Sequence, residues 1–582
     1  METRDTAREL LDRTLDAGSH VSWDEAPLDV DPDPAYADAL TRARAATGCD
    51  EAVLTGEGRL HGRRVAVVAS EFGFLAGSVG LAAAGRIVAA VERATAERLP
   101  LLAAPASGGT RMQEGTPAFV AMAAITAAVT AHKAAGLPYL VYLRHPTTGG
   151  VLASWGSLGH LTAAEPGALV GFLGPRVYEA LHGAPFPEGV QRAENLQRHG
   201  LVDAVLPPDQ LRDAAGLALD VLLDRPAPAA TPPPPAEPDS PAPVWDSVTR
   251  SRRKERPGVR ELLRHAASHV VRLRGSGEGE ASPALVTALA RFGGRPCVLV
   301  GQDRSRQSAE QPMGPDALRE ARRGMRLAAE LRLPLVTVID TPGAALSAEA
   351  EERGTAGQIA RCLAEMTSLA APTVSVLLGQ GTGGGAIALL PADRVLCAEH
   401  AWLAPLPPEG ASAIVHRTPD RAGELAQAQG IGSADLRAPP WCCWARRWSC
   451  AGSARPRPDA PRPAWNPRSC SPRRSGCCAT APRSSCGPST TAGSTTTCTG
   501  ATCAAATRRG RWSATPPTCS PERWAWSPPR GCSACCTRSC CRCWPWPWSP
   551  SGGARPPRRA CATGCSWPSP RGAAASSCWR PS

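Results

Sequence analysis

Four short stretches of this 582-residue chain place consecutive small residues where backbone amides can do chemistry. They are SGGTR (107–111), PTTGGV (146–151), TPGAA (341–345) and GTGGGA (381–386). Each follows an apolar run and precedes a stretch of helical composition. Glycine has no Cβ to hold a ligand away from the main chain, and N–H groups at a helix start can converge on a negative oxygen. Such a turn suits an oxyanion, above all an enolate, because donors already aimed at the developing charge favour the transition state over the substrate. A lone Gly-Gly usually does no more than join a strand to a helix. Four at related positions point to a site.

Side chains offer little else. No Gly-Lys-Ser/Thr follows a glycine run as a P-loop requires, and no dinucleotide fingerprint with its downstream acidic residue is present. Ser107 lacks a Gly-x-Ser-x-Gly setting. His132, His145, His160 and His182 stand at no spacing that marks a triad or a metal site, so core or surface roles are expected for them.

The turns are placed by a repeat. RLPLLAAPASGG (98–109) matches RLPLVTVIDTPG (332–343), and GLPYLVYLRHPTTGGV (136–151) matches AAPTVSVLLGQGTGGG (370–385). Pro100 and Pro334, Gly109 and Gly343, Pro138 and Pro372, Gly149 and Gly383, and Glu165 and Glu399 are each 234 positions apart. A constant offset signals duplication of one structural unit. Apolar runs at 63–70, 138–143, 333–339 and 373–378 predict strands, and 116–135 and 316–332 predict helices. Strand, glycine turn and helix in succession predict an α/β fold, its strands covered on both faces. Repeated proline in 225–244 predicts an extended spacer between a first domain, 1–224, and a second, 245–438.

Composition divides the chain again near residue 438. The net charge of +12 is misleading, because residues 439–582 carry 21 Arg against one Asp and one Glu, which leaves the first 438 residues mildly acidic. Four of the 23 cysteines, Cys49, Cys297, Cys362 and Cys397, precede that point, as expected of a reduced cytoplasmic protein. No secretory leader is evident at 1–20, and no run of about 18 apolar residues suggests a membrane span.

The tail has 19 Cys and 12 Trp but no Leu, Val, Ile, Met, Phe or Tyr, a set that cannot build a packed core. Its C-x-x-C pairs, Cys532/Cys535 and Cys540/Cys543, have no His beside them and are spaced too closely for a zinc ribbon. Reading WCCWA (441–445) one base earlier turns its Trp and Cys codons into Leu, Val or Met codons. A shifted reading frame is therefore expected from about residue 438, leaving the second domain without its last elements and the tail without a fold.

These turns and this repeat resemble the carboxyltransferase of biotin-dependent acyl-CoA carboxylases, the acetyl-CoA and propionyl-CoA enzymes, with the bacterial β and α subunits joined in one chain. Residues 1–207 are similar to the β subunit nearly end to end. The matching segments are TGEGRLHGRRVAVVASEFGFLAGSVG (55–80), SGGTRMQEG (107–115), LPYLVYLRHPTTGGVLAS (137–154), AEPGALVGFLGPRV (164–177) and PEGVQRAENLQRHGLVDAV (187–205). Residues 245–415 resemble the α subunit more divergently. There the matches are MGPDALREARRGMRLAAELRLPLVTVIDTPGA (313–344), AEERGTAGQIARCLAEM (350–366), GQGTGGGAIAL (379–389) and PPEGASAIV (407–415).

The resemblance implies a crotonase-like fold in each half. It implies transfer of a carboxyl group from carboxybiotin on a carrier protein to acetyl-CoA or propionyl-CoA, giving malonyl-CoA or methylmalonyl-CoA without a side-chain base. Gly149 and Gly150 then match the pair that holds the thioester enolate oxygen, and Gly385 and Ala386 the pair that holds the biotin ureido oxygen. Gly108, Gly109, Gly343, Ala344 and Gly384 would shape the substrate site. The implied partners are biotin carboxyl carrier protein, biotin carboxylase, acyl-CoA and further copies of the chain, with no metal, nucleic acid or membrane.

Two departures stand out. The family's β subunit usually begins with a four-cysteine zinc ribbon, whereas residues 1–49 hold only Cys49. Its α motif continues from Thr-Pro-Gly-Ala into Tyr-Pro-Gly, whereas AALSAEAEERG (344–354) stands here. A hydratase or decarboxylase of the same fold, or an inactive product of a frameshifted gene, remains the alternative.

Overall fold

A computed structural model describes residues 5–28, 32–224, 242–308 and 311–437. The tail at 439–582 and most of the expected spacer lie outside the described residues. Runs rich in Val, Leu and Ala give two sheets. In the first, β1 (Val21–Ser22), β2 (Val53–Leu60), β3 (Arg63–Ser70), β4 (Leu101–Ala104), β5 (Tyr139–Leu143), β7 (Leu161–Ala164) and β9 (Ala204–Val205) lie side by side in that order, and β6 (Thr147–Thr148) pairs separately with β8 (Val170–Gly171). In the second the order is β10 (Ala267–Leu273), β11 (Leu285–Phe292), β12 (Arg295–Gln302), β13 (Leu335–Thr341), β14 (Thr373–Thr382) and β15 (Arg394–Cys397), with β16 (Trp402–Ala404) also on β14.

Each sheet opens with antiparallel strands and continues parallel from β3 and from β12. The central strands β4 and β5 are buried throughout, as strands covered on both faces must be. This is the crotonase-like architecture in two copies.

Between the central strands β4 and β5, and β13 and β14, the repeat keeps its register. Leu101 faces Tyr139 in the first sheet and Leu335 faces Thr373 in the second, and both positions differ by the same 234 residues. The helices follow suit: α1 (Leu81–Ala96) corresponds to α5 (Pro315–Glu330) residue for residue. The predicted helix at 116–135 is α2 (Gly115–Ala134), and short helices α3 (Gly149–Leu152) and α7 (Gly383–Ile387) begin at the matching glycines. The copies diverge before α6 (Thr355–Ser368). A short helix, Ala348–Glu352, precedes it, and Gly354 in the left-handed region (φ +77°) breaks what is continuous in α2. Among the described helices, Met112–Ala134 is long and apolar enough to cross a membrane, which was not anticipated from its many alanines.

The halves share a core to which α4 (Pro208–Leu223) contributes Leu211, Leu219 and Val221 alongside Leu285 and Leu289 of the second sheet. Polar ties run along the seam. Asp203 accepts two bonds from the Arg323 guanidinium (2.8 and 2.9 Å), and also the amides of Thr162 (2.9 Å) and Arg274 (3.0 Å). Glu330 of α5 meets Lys133 (3.4 Å) and the buried His160 (3.3 Å) from the first half. The hydrogen bond from His160, helped by the nearby charge of Lys133, holds Glu330 down at about 2.

Candidate functional site

Each half builds one amide cradle from two adjacent glycine turns. In the first half, the Ser107 hydroxyl accepts the Gly109 amide at 3.0 Å, closing a tight turn with Gly109 at φ +112°. The Gly108 amide is fixed on the Ala76 carbonyl (2.9 Å), and the Ser107 carbonyl accepts the Thr148 amide (2.9 Å), which ties this turn to the next. A Cβ on Gly109 would stand 3.4 Å from Gly149 Cα and 3.5 Å from the Gly150 nitrogen, which shows how closely the two turns approach; it is the φ of +112° that calls for glycine here.

Thr148 is the N-cap of α3, and its side chain makes no capping bond. The first amides of a helix have no acceptor four residues back. Of these, Gly149 (φ +61°) gives its N–H to the Phe172 carbonyl at 3.0 Å, which leaves Gly150 and Val151 as the amides of the first turn. The predicted pair Gly149 and Gly150 is thus brought against Gly108 and Gly109, with the Gly149 donor already committed.

The second cradle repeats this construction. The Thr341 hydroxyl accepts the Gly343 amide at 3.1 Å, with Gly343 at φ +136°. The Ala345 amide reaches the Met313 carbonyl at 2.9 Å, as Arg111 reaches Val79 at 2.9 Å in the first half. Thr382 is the N-cap of α7, and Gly383 (φ +61°) occupies the place of Gly149. Gly384 and Gly385 are then the second and third helical residues, equivalent to Gly150 and Val151. Ala386 is the fourth, where the helix supplies its own acceptor. A Cβ on Gly385 would lie 3.4 Å from the Ala344 nitrogen, so Gly343, Ala344, Gly384, Gly385 and Ala386 assemble at one place.

Several supporting residues were not singled out from the sequence. Arg111, within the SGGTRMQEG segment, is buried and pairs with the buried Glu51, also donating to Tyr36 Oη (3.2 Å) and the Ser78 carbonyl (2.7 Å). Glu114 accepts the Tyr36 hydroxyl and the Leu81 amide at the start of α1. Its carboxylate is therefore engaged in bracing the first cradle. Beneath the second, Asp340 is fully buried and takes two bonds from Arg256 (2.8 and 2.7 Å). Burial outweighs that pairing and raises its pKa.

Burial lowers His132 to about 4, so its imidazole is neutral near pH 7; it bonds Thr95 and faces the Pro138 carbonyl. His160 is likewise buried, and its Nδ1 accepts the Tyr139 amide. Cys49 is a buried free thiol. Where Tyr-Pro-Gly was expected, Ser347 caps the helix Ala348–Glu352 and Leu346 is 90% exposed. Met112, its equivalent in the first copy, is 81% exposed, and Phe119 and Phe172 are exposed in the same half.

Two cradles of backbone amides on a duplicated crotonase-like frame narrow the choice of family, and comparison with known proteins decides it. The carboxyl transferase domain family matches residues 2–448. The chain belongs to the carboxyl transferase family. It is 65% identical over 434 residues to a protein of Mycobacterium tuberculosis named as a probable biotin-dependent acyl-coenzyme A carboxylase beta3 subunit, covering 75% of this chain and 87% of the relative. A Salinispora arenicola protein named as acetyl-coenzyme A carboxylase carboxyl transferase subunits beta/alpha is 38% identical over 454 residues, 73% of this chain and 79% of the relative.

Among solved structures, the hexameric transcarboxylase 12S with hydrolysed methylmalonyl-coenzyme A bound aligns with a TM-score of 0.61 at 22% identity. It covers 75% of this chain and 85% of that one. A single-chain long-chain acyl-CoA carboxylase aligns at 0.58 and 18% identity, covering 74% and 44%. These two likenesses speak to the fold. Family membership makes the chain a carboxyltransferase of the biotin-dependent acyl-CoA carboxylases, and the paired cradles are what such a family member has to work with.

Proposed function

We propose that this carboxyltransferase moves a carboxyl group from carboxybiotin on a carrier protein to the α-carbon of a short acyl-CoA, acetyl-CoA or propionyl-CoA, giving malonyl-CoA or methylmalonyl-CoA. The observation that carries the reading is the pair of repeat-related cradles, one for each of two substrates that both present a carbonyl-type oxygen. The amides of Gly150 and Val151 would hold the thioester oxygen as it becomes an enolate. Those of Gly384 and Gly385 would hold the ureido oxygen of the biotin group. The residues fit such groups, because in both helices the second and third amides have no acceptor in their own helix and need an outside oxygen. Carboxybiotin, when bound, supplies the carboxyl group and, after its loss, a basic ring nitrogen.

The chain's own contribution is positioning and charge stabilisation. Ser107 and Thr341 fix the companion turns, the Phe172 carbonyl pins Gly149, and the Arg111–Glu51 pair keeps the first turn from moving. Oriented N–H donors stabilise an enolate without reorganising, and removing one such donor typically costs about 10²- to 10³-fold in rate. Met112 and Leu346, exposed at matching places in the two copies, are the positions proposed to meet another copy of the chain.

The test is the reverse reaction. The full chain is incubated with malonyl-CoA or methylmalonyl-CoA and free biotin, and acetyl-CoA or propionyl-CoA formation is followed by chromatography. Biotin-dependent turnover of either substrate supports the proposal. Hydration of an enoyl-CoA without biotin-dependent turnover overturns it.

A further inference from the structure

The second cradle depends on a side chain from outside its turns. Gln302, the last residue of β12, is fully buried, and its amide group makes three bonds, one of them from Nε2 to Met313 Sδ at 3.4 Å. Its Oε1 accepts the Asp340 amide at 2.9 Å, at the root of the 341–345 turn, and its Nε2 donates to the Gly385 carbonyl at 2.8 Å, in the first turn of α7. One planar group thus ties together the two turns that form the cradle.

The carbonyl needs this tie. In a longer helix Gly385 would accept the Leu389 amide, but α7 ends at Ile387 and Leu389 bonds Ala386 instead, at 3.2 Å. A buried carbonyl left without a partner is costly, so the Gln302 donor decides how the peptide after Gly385 is oriented.

The first copy solves the same problem differently. The equivalent carbonyl, that of Val151, meets the Ser154 amide (3.4 Å) and hydroxyl (3.3 Å) within its own loop. The strand registers place Ser70 where Gln302 stands, and the Ser70 hydroxyl, buried, has no partner. Held by its own loop, the first cradle is independent of its sheet. The second is set by β12 through one side chain.

We propose that Gln302 is the positioning residue of the second cradle, fixing the Gly384 and Gly385 amides relative to the 341–345 turn. It acts through Gly385 and touches no substrate. This rests on the reading of that cradle as the biotin-side oxyanion hole, and the experiment separates the two. Transfer from malonyl-CoA or methylmalonyl-CoA to free biotin is measured for the wild type, Gln302→Leu, Gln302→Glu and Gly384→Val, with thermal unfolding as the check on folding.

Gln302→Leu, which keeps the bulk and removes all three bonds, is expected to lower kcat about 10- to 100-fold, as a misplaced catalytic group does. KM for the acyl-CoA substrate should stay within about twofold, because the first cradle does not use Gln302. Gln302→Glu is the diagnostic variant. Ionised, it turns an acceptor toward the Gly385 carbonyl; protonated, it restores the donor. Its kcat should therefore rise as pH falls, relative to the wild type at each pH.

A folded Gln302→Leu with wild-type kcat, or a Gln302→Glu profile parallel to the wild type, overturns the proposal. If Gly384→Val also retains full turnover, the assignment of the cradle itself fails; if Gly384→Val is inactive, only the role of Gln302 fails.

Discussion

Glu320 should make this protein less stable as pH rises through neutrality, the reverse of the usual carboxylate behaviour. It sits on α5, 3% exposed, at the seam between the halves, where it accepts the Ser282 amide (3.2 Å) and the Thr287 hydroxyl (3.4 Å). The neighbouring cation, Arg323, is committed to Asp203. Burial without a dedicated counter-ion pushes the Glu320 carboxyl up from its ordinary 4.5 to about 7.

The native state therefore holds this proton more tightly than the unfolded chain does. Stability from this group is fully present below pH 4.5 and is lost as pH rises through 7. A shift of that size corresponds to about 3 kcal/mol once the group is ionised. The perturbation is Glu320→Gln, which keeps shape and acceptor but cannot ionise. Urea unfolding of wild type and variant is compared at pH 4.5 and pH 8.5. The variant should match the wild type at the lower pH and exceed it by up to about 3 kcal/mol at the higher. A difference independent of pH, or a variant that loses stability relative to the wild type as pH rises, would refute the reasoning.

Two further outcomes are expected. Arg111→Met leaves Glu51 buried without its cation and should cost about 3–5 kcal/mol in chemical denaturation, while Arg111→Met combined with Glu51→Leu should recover part of that loss. Met112→Asp and Leu346→Asp place charge on exposed apolar positions; each should leave the unfolding midpoint nearly unchanged and shift the mass measured by light scattering toward the single chain.

How much of this was legible beforehand follows from how local each signal is. Glycines at positive φ and prolines at strand starts leave their mark in a few consecutive residues, so the four turns, the 234-residue repeat and strands such as Arg63–Ser70 could be read directly. The contacts that brace the cradles could not. Arg111 and Glu51 are 60 residues apart and Gln302 and Gly385 are 83 apart, distances over which composition carries no pairing information.

Which amides are left for a ligand depends on where the helix begins. Thr148 and Thr382 are the N-caps, which moves the open amides one residue beyond Gly149 in the first copy and one short of Ala386 in the second. The Thr-Gly steps were the available clue, since threonine is a common N-cap. The break before α6 could have been suspected from Gly354 following three consecutive charged residues.

The most direct test of backbone-amide catalysis is steady-state transfer between malonyl-CoA or methylmalonyl-CoA and biotin by Gly150→Val and Gly384→Val, each shown to be folded. A Cβ on Gly150 would come within 2.8 Å of Thr110 Oγ1, and one on Gly384 within 2.5 Å of Ile359 Cδ1, so either branched side chain crowds its cradle and must push that neighbour or the turn aside. Both variants are predicted to lose kcat by about 10²-fold or more. Wild-type kcat in either folded variant would contradict the assignment of that cradle to catalysis.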